Sequence, residues 1–286
     1  MRGEPMTGTA SVVRSWLLLE HAGPWGEDAF VDARLPAGFA AEVSARCEAA
    51  LVRPLLIRRA APAGDRGGVR CFAIRSGPEP PWIETTSLER LTDALELDIE
   101  ALGRGSSVGL DAHEDPVFLV CTHGRHDRCC AERGRPLASA LAATYPRQTW
   151  ESSHFGGDRF AGNLIAFPHG LYFGRVAPAD ADHVVTEYTG GRLDLDRLRG
   201  RSCYPMAVQA AELQLRTRER LVGLDDVVFE RASRFTSTLE ASFRTPRGRF
   251  EIVLDIDEAD RHYLTCRSET EQPPPRYRAA SISRID

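Results

Sequence analysis

Two short segments hold most of the residues able to bind a metal or pass electrons: Cys121-Thr-His-Gly-Arg-His-Asp-Arg-Cys129-Cys130 and His154-Phe-Gly-Gly-Asp158-Arg-Phe-Ala-Gly-Asn163. Three of the chain's seven cysteines fall within the ten residues of the first. Thiolate and imidazole are the soft donors of zinc, iron and iron-sulfur sites. Such a site needs deprotonated sulfur or neutral imidazole, fixed by rigid elements and stabilised against the charge it gathers. Eight residues separate Cys121 from Cys130, enough for a loop that leaves a strand, turns at Gly124 and returns to a helix starting near Ala131. Cys130 then lies at a helix N-terminus, whose free amides favour a thiolate or an anionic cluster. Arg125, Arg128 and Arg159 add positive charge. His154 sits in a glycine-bearing loop, and Gly156-Gly157 allows close backbone approach.

Cys121, Cys130 and His154 therefore make a three-donor candidate, with Cys129 or Asp158 as the fourth ligand. Adjacent cysteines point in different directions on most backbones, so Cys129 and Cys130 fit the two irons of one cluster better than one iron. Carboxylate is a harder ligand, poorly matched to an iron-sulfur centre. Each residue also has a plainer reading. Cys121 can be a buried strand-end thiol, Cys129 and Cys130 one exposed and one core thiol, and Asp158 a salt-bridge or loop-amide partner, for instance of Arg159. His123 and His126 read as turn caps or solvent-facing groups rather than ligands. Cys47, Cys71, Cys203 and Cys266 read as packing residues.

The elements that must position these residues recur in the same order. Ser15–Glu20 reads as a strand, Leu35–Leu51 as a helix, and Leu55–Arg59 and Arg70–Arg75 as a hairpin about the glycine-rich turn at 63–68. Ser87–Leu102 reads as a helix with a capping-type start. Residues before about 13 are expected to fray. Gly103–Asp115 breaks the pattern, after which Pro116–Thr122 is a strand, Ala131–Tyr145 a helix and Gln148–Ser153 a short strand. Asn163–Phe167 and Leu171–Val176 form a hairpin, and 179–188 a helix with acids in its first turn. That return suggests a structural duplication in which only the second copy carries the clustered loop cysteines. Ala207–Leu221 reads as an amphipathic helix, followed by strands at 238–243, 250–256, 263–267 and 277–285. The expected units are 1–110, 111–200 and 201–286.

Composition narrows the partners. The chain has 286 residues, 42% hydrophobic and 27% charged, with net charge -5. All 36 basic residues are arginine and 41 acids outnumber them, so a phosphate-tracking groove for nucleic acid is not expected. No apolar run approaches the roughly 20 residues of a membrane span, and the start lacks a signal peptide's apolar core. These features, with clustered thiols outside a disulfide framework, give the expectation of a cytoplasmic protein.

With these residues in view, the chain resembles the sucrase/ferredoxin-like family, and its central unit looks like a thioredoxin-like [2Fe-2S] ferredoxin. Such ferredoxins pair a Cys-x(n)-Cys loop after the first strand with a second ligand loop before a Pro-x-Gly-x-Tyr-x-x-Val type hairpin. Here these are Cys121-x8-Cys130, His154-x3-Asp158 and Pro168-His-Gly-Leu-Tyr-Phe-Gly-Arg-Val176. Gly23-Pro-Trp-Gly26 and Tyr204–Glu212 extend the family likeness over most of the chain. The resemblance implies an α/β (α+β) fold of tandem thioredoxin-like units, the second ferredoxin-like, with a small C-terminal helix and antiparallel sheet. It further implies a cluster held through Cys121, Cys130 and His154, with Asp158 standing where eukaryotic relatives have a second histidine. Neutral imidazole in place of thiolate would raise the potential, as in Rieske centres.

Function then reads as an iron-sulfur electron carrier or redox sensor, not an enzyme, with a redox partner protein and no nucleic-acid or membrane partner. A metal-free thiol-disulfide oxidoreductase using Cys129-Cys130 is a second class, weakened by the absent Cys-x-x-Cys. A structural zinc at the same Cys/His donors is a third. Glycoside hydrolysis needs two opposed carboxylates in a sugar cleft, and no such pair stands out.

Overall fold

The computed structural model describes residues 4–60, 67–265 and 268–286. In chain order the elements are β1 (Ser15–Glu20), α1 (Ala29–Asp32), α2 (Phe39–Ala49), β2 (Val52–Arg59), β3 (Val69–Arg75), β4 (Trp82–Leu88), α3 (Ile99–Arg104) and β5 (Asp111–Ala112). There follow β6 (Val117–Cys121), α4 (Arg128–Thr144), β7 (Thr149–Ser152), β8 (Leu164–Phe167), β9 (Leu171–Phe173), α5 (Ala181–Thr189) and β10 (Leu198–Arg201). The last are α6 (Met206–Glu219), β11 (Val228–Arg234), β12 (Thr238–Thr245), β13 (Gly248–Glu258) and β14 (Pro275–Arg284).

The first ten strands form one mixed sheet in the order β10-β9-β8-β6-β7-β2-β1-β3-β4-β5. Within it the same unit occurs twice. β1 runs parallel to β2 and antiparallel to β3, which pairs antiparallel with β4; β6 stands in the same relations to β7, β8 and β9. Helices α2 and α4 are the crossovers that parallel pairs require. The two units meet where β2 and β7 pair antiparallel through Ile57↔Ser152, Arg58↔Glu151 and Arg59↔Trp150. The tandem thioredoxin-like arrangement and the C-terminal antiparallel sheet, ordered β11-β12-β13-β14 and packed on α6, agree with the fold class expected from sequence.

One sheet face packs its Leu17 and Leu19 against Phe39, Val43, Ile99 and Leu102 in the first unit, and Phe118 and Val120 against Leu137, Leu141 and Val184 in the second. The sheet curls over its other face, so that Trp16 on β1 packs on Phe167 at 5.1 Å and Phe72 on β3 meets Trp150 at 5.5 Å. Burying each such side chain contributes about 1.5–3 kcal/mol. No helix among the described residues is long and apolar enough to cross a membrane.

Several expectations change. β2 does not form a hairpin with β3: its consecutive buried Leu55, Leu56 and Ile57 mark an interior strand covered on both faces, and its edges go to β1 and β7. The hairpin is β3–β4, whose second strand was not anticipated, and of the helix expected over 87–102 only 99–102 is α-helical, with 91–96 a 3-10 helix. Residues 63–66 of the glycine-rich turn lie outside the described residues. β11 was not anticipated, and 263–265 is not strand; 266–267 lie outside the described residues. The segment before β1 is tied down rather than frayed. Gly8 N–H donates to Arg199 O (2.9 Å), Val13 N–H to Ser202 O (2.8 Å), and the Gln209 side chain bonds both Ala10 N–H and Ala10 O (3.1 Å each).

His169, in the β8–β9 turn, shares a 2.7 Å hydrogen bond with the Tyr188 hydroxyl. Burial, helped by Arg201, pushes its pKa down to about 4. The unfolded chain takes up this proton below about pH 6.5, whereas the fold resists it. Stability from this residue is therefore complete above that pH and lost as pH falls toward 4, at up to about 1.4 kcal/mol per pH unit. Urea denaturation at pH 7 and pH 5 should show a smaller loss in His169→Gln than in the wild type; equal losses would contradict the assignment.

Candidate metal centre

The three candidate donors reach one point from three places in the second unit. Cys121 ends β6, Cys130 lies in the first turn of α4, and His154 follows the end of β7. Asp127 is the N-cap of α4, its Oδ1 accepting from Cys129 N–H at 2.8 Å, as a helix start with free amides favours. The helix can lie this close to the strand end because residue 134 is glycine: a Cβ there would sit 2.0 Å from Cys121 O. The His154 loop is anchored to the first unit. Ser153 N–H donates to Leu56 O (2.8 Å) while Ser153 Oγ accepts from Leu56 N–H (3.1 Å).

His154 Nδ1 lies 3.9 Å from Cys121 Sγ and 3.7 Å from Cys130 Sγ. The donor atoms of the three residues all fall within 4.8 Å of one another, the single such group found among the described residues. Both thiols are buried, at 2% and 1% exposure. The hydrogen bond from Cys130 holds Cys121 well below the usual thiol range despite burial, and His154 adds to this. The same bond, with burial, drives Cys130 upward. The pair thus shares one proton, as one thiolate and one thiol.

Around the donors stands a shell that the sequence reading had set aside. His123 is buried, not solvent-facing. Its Nδ1 accepts from His154 N–H (3.2 Å), which leaves Nε2–H to donate to Gly26 O (2.9 Å). His126 stacks on the His154 ring at 4.0 Å, and its Nδ1 bonds Glu27 O at 3.1 Å. The edge of Trp25 packs on His123 at 5.7 Å, and the Arg58 guanidinium lies 4.4 Å from the Trp25 ring. Arg58 Nε donates to Glu151 (2.8 Å), which also accepts from Thr122 Oγ1 (2.8 Å). Gly23-Pro-Trp-Gly26 therefore belongs to the site although it lies in the half without donors. An open cleft of about 360 Å³ reaches His154 between Phe30, Arg53, His123 and His126.

The remaining sequence candidates lie outside the group of three. Cys129 is half-buried in the same helical turn as Cys130. Asp158 is buried, with a pKa raised to about 6 by burial and then by its hydrogen bond to Asp127. It does not pair with Arg159, whose ion pair is to Glu4 (3.0 Å). Arg128 points into solvent and pairs with Glu132. The buried cation beside the loop is instead Arg199, which bonds Gly156 O (3.2 Å) and Asn163 Oδ1 (2.8 Å). Asp127 was legible as an N-cap from its place before Arg128-Cys-Cys; Arg199, distant in sequence, carried no local signal.

Adding one methyl group at the closest contact, Gly134→Ala, should force α4 off the end of β6 at a cost of about 1–3 kcal/mol. Chemical denaturation measures it, and an unchanged midpoint would show that the helix is not held there.

Comparison with known proteins followed from this geometry. The family model described as sucrase/ferredoxin-like matches residues 6–200. A curated relative, "Altered inheritance of mitochondria protein 32" of Meyerozyma guilliermondii, is 30% identical over 97 residues, which cover 30% of this chain and 34% of that protein; the chain spans about a third of that relative's length. Among solved structures, the thioredoxin-like [2Fe-2S] ferredoxin from Aquifex aeolicus matches with TM-score 0.28 and 20% identity over 32% of this chain and 97% of that one. A cysteine-to-serine variant of the same ferredoxin matches with TM-score 0.26 and 20% identity over 29% and 97%.

Proposed function

This chain belongs to the sucrase/ferredoxin-like family, and we propose that it holds a [2Fe-2S] cluster through Cys121, Cys130 and His154 and works as a one-electron carrier or redox sensor. The observation that carries this reading is the convergence of two thiols and one imidazole, from three backbone segments, within 4.8 Å. Two sulfurs and a nitrogen suit iron or zinc and fit hard cations poorly. The thiol pair already favours one thiolate. Bound there, the cluster supplies one-electron chemistry, and the chain supplies orientation and charge.

His154 turns Nδ1 to the thiols, and His123 fixes its backbone amide. A neutral imidazole where a ferredoxin has thiolate leaves the centre less negative and raises its reduction potential. Asp158, buried next to Asp127, and Cys129, one residue before Cys130, are the two candidates for the fourth ligand. The cleft at His154 is where a redox partner protein would approach. Clustered thiols outside a disulfide framework support a reducing compartment, and we propose the cytoplasm.

A specific observation favours a second reading. The sulfur-to-nitrogen separations of 3.7 and 3.9 Å are near the roughly 3.6 Å that one tetrahedral ion imposes with ligands at about 2.3 and 2.0–2.1 Å. A single zinc at the same donors fits that spacing.

Protein purified without oxygen is expected to absorb in the visible and to hold about two irons and two sulfides per chain. Cys121→Ser should bleach it, and whichever of Cys129→Ser and Asp158→Ala also bleaches it names the fourth ligand. His154→Cys should keep the colour and lower the potential; an unchanged potential removes His154 from the ligand set. Colourless protein carrying stoichiometric zinc selects the second reading, and metal-free folded protein moves the function to dithiol chemistry.

A further inference from the structure

Among the described residues three arginines are buried: Arg199, Arg201 and Arg216. Two of them share one carboxylate, since Arg201 and Arg216 reach Glu212 Oε1 at 3.2 and 2.9 Å. Arg199, 1% exposed, is different. Its guanidinium donates to Thr9 Oγ1 (3.1 Å), Thr9 O (2.5 Å), Gly156 O (3.2 Å) and Asn163 Oδ1 (2.8 Å). It also lies 5.1 Å from the Phe160 ring and 5.3 Å from the Tyr172 ring. Among the described residues every hydrogen-bond acceptor it uses is neutral. A buried ion without a counter-ion costs several kcal/mol, so the arrangement calls for negative charge nearby.

The surroundings show where that charge belongs. Arg199 lies directly beneath the loop that presents His154: a Cβ on Gly157 would come within 2.2 Å of its guanidinium, and Gly156 O is one of its acceptors. Asn163, another partner, accepts from Cys121 N–H through its own carbonyl (3.2 Å). Tyr172 packs in the same apolar cluster as Cys121 and Cys130. Burial lowers the Arg199 pKa to about 10, which leaves it charged at neutral pH.

We propose that Arg199 is the internal counter-charge of the metal centre: a positioning residue that holds the His154 loop from below and raises the reduction potential by favouring the more negative, reduced state. The inference rests on the cluster reading above. Adding an electron beside a fixed buried cation is easier than adding it beside a neutral group. Removing the cation therefore shifts the couple toward the oxidised form.

The test is redox titration of the full chain, followed by visible absorption, for wild type, Arg199→Gln and Arg199→Lys. Arg199→Gln is expected to change the reduced-to-oxidised ratio at fixed potential at least tenfold toward oxidised, about 59 mV for one electron. Arg199→Lys, which keeps the charge but not the fork of donors, should recover most of that shift. Wild-type potentials in both variants overturn the proposal. If Arg199→Gln loses iron, Arg199→Lys decides: retained iron at a near wild-type potential supports the counter-charge, and loss in both overturns it. Iron-free wild-type protein overturns the cluster reading itself, and this inference with it.

Discussion

Three residue pairs between β2 and β7 hold the molecule to one design. Because β7 also ends in the segment bearing His154, whatever fixes this seam fixes a donor. The central pair, Arg58 and Glu151, is an ion pair as well as a strand contact, and from it bonds run to Thr122 beside Cys121 and to the Trp25 ring over His123. A partly buried pair of this kind, with two guanidinium nitrogens on one carboxylate oxygen, owes its worth less to net stability than to the geometry it imposes. The half without candidate ligands thus acts on the site by closing around it, through the Gly26 and Glu27 carbonyls that orient His123 and His126.

Electrostatics organises the second unit in a related way. Two thiols, two carboxylates and a guanidinium around the two ligand loops are withdrawn from water, an arrangement that is costly unless each charge finds a partner or loses its proton. The thiols divide one proton, Asp158 is pushed toward its protonated form beside Asp127, and Arg199 stays charged. Groups poised in this way cluster at functional sites more often than at structural ones.

The sequence made the donors legible because each lies next to a recognisable element: a β-strand before Cys121, a helix after Cys130, a hairpin after His154. Those local patterns also gave the repeat of units. What it concealed is non-local. The edges of a strand such as β2 are chosen by partners nearly a hundred residues away, so a nearest-neighbour hairpin was the natural and incorrect reading. β4, with its β-branched Ile83, Thr85 and Thr86, was passed over between the strand expected at 70–75 and the helix expected from Ser87. Arg199 and the Thr9 strap meet across 190 residues, and no spacing rule links them. The histidines of the first segment read as solvent-facing because their acceptors, two backbone carbonyls of the other unit, leave no trace in composition.

The β2–β7 seam has a bearing on how many centres the molecule can offer. Each unit on its own would leave a bare edge of amide and carbonyl groups, the kind of surface that recruits another chain. Here the second copy is supplied in cis, and the result is an internal dimer in which, among the described residues, only one protomer-equivalent carries the Cys/His donor group. A symmetric pair of such units would open two mouths on opposite sides of a two-fold axis; this chain opens one, and its other half has become a wall. Stoichiometry, one Cys/His donor group for two folding units, is thereby set by covalent connection and does not vary with concentration.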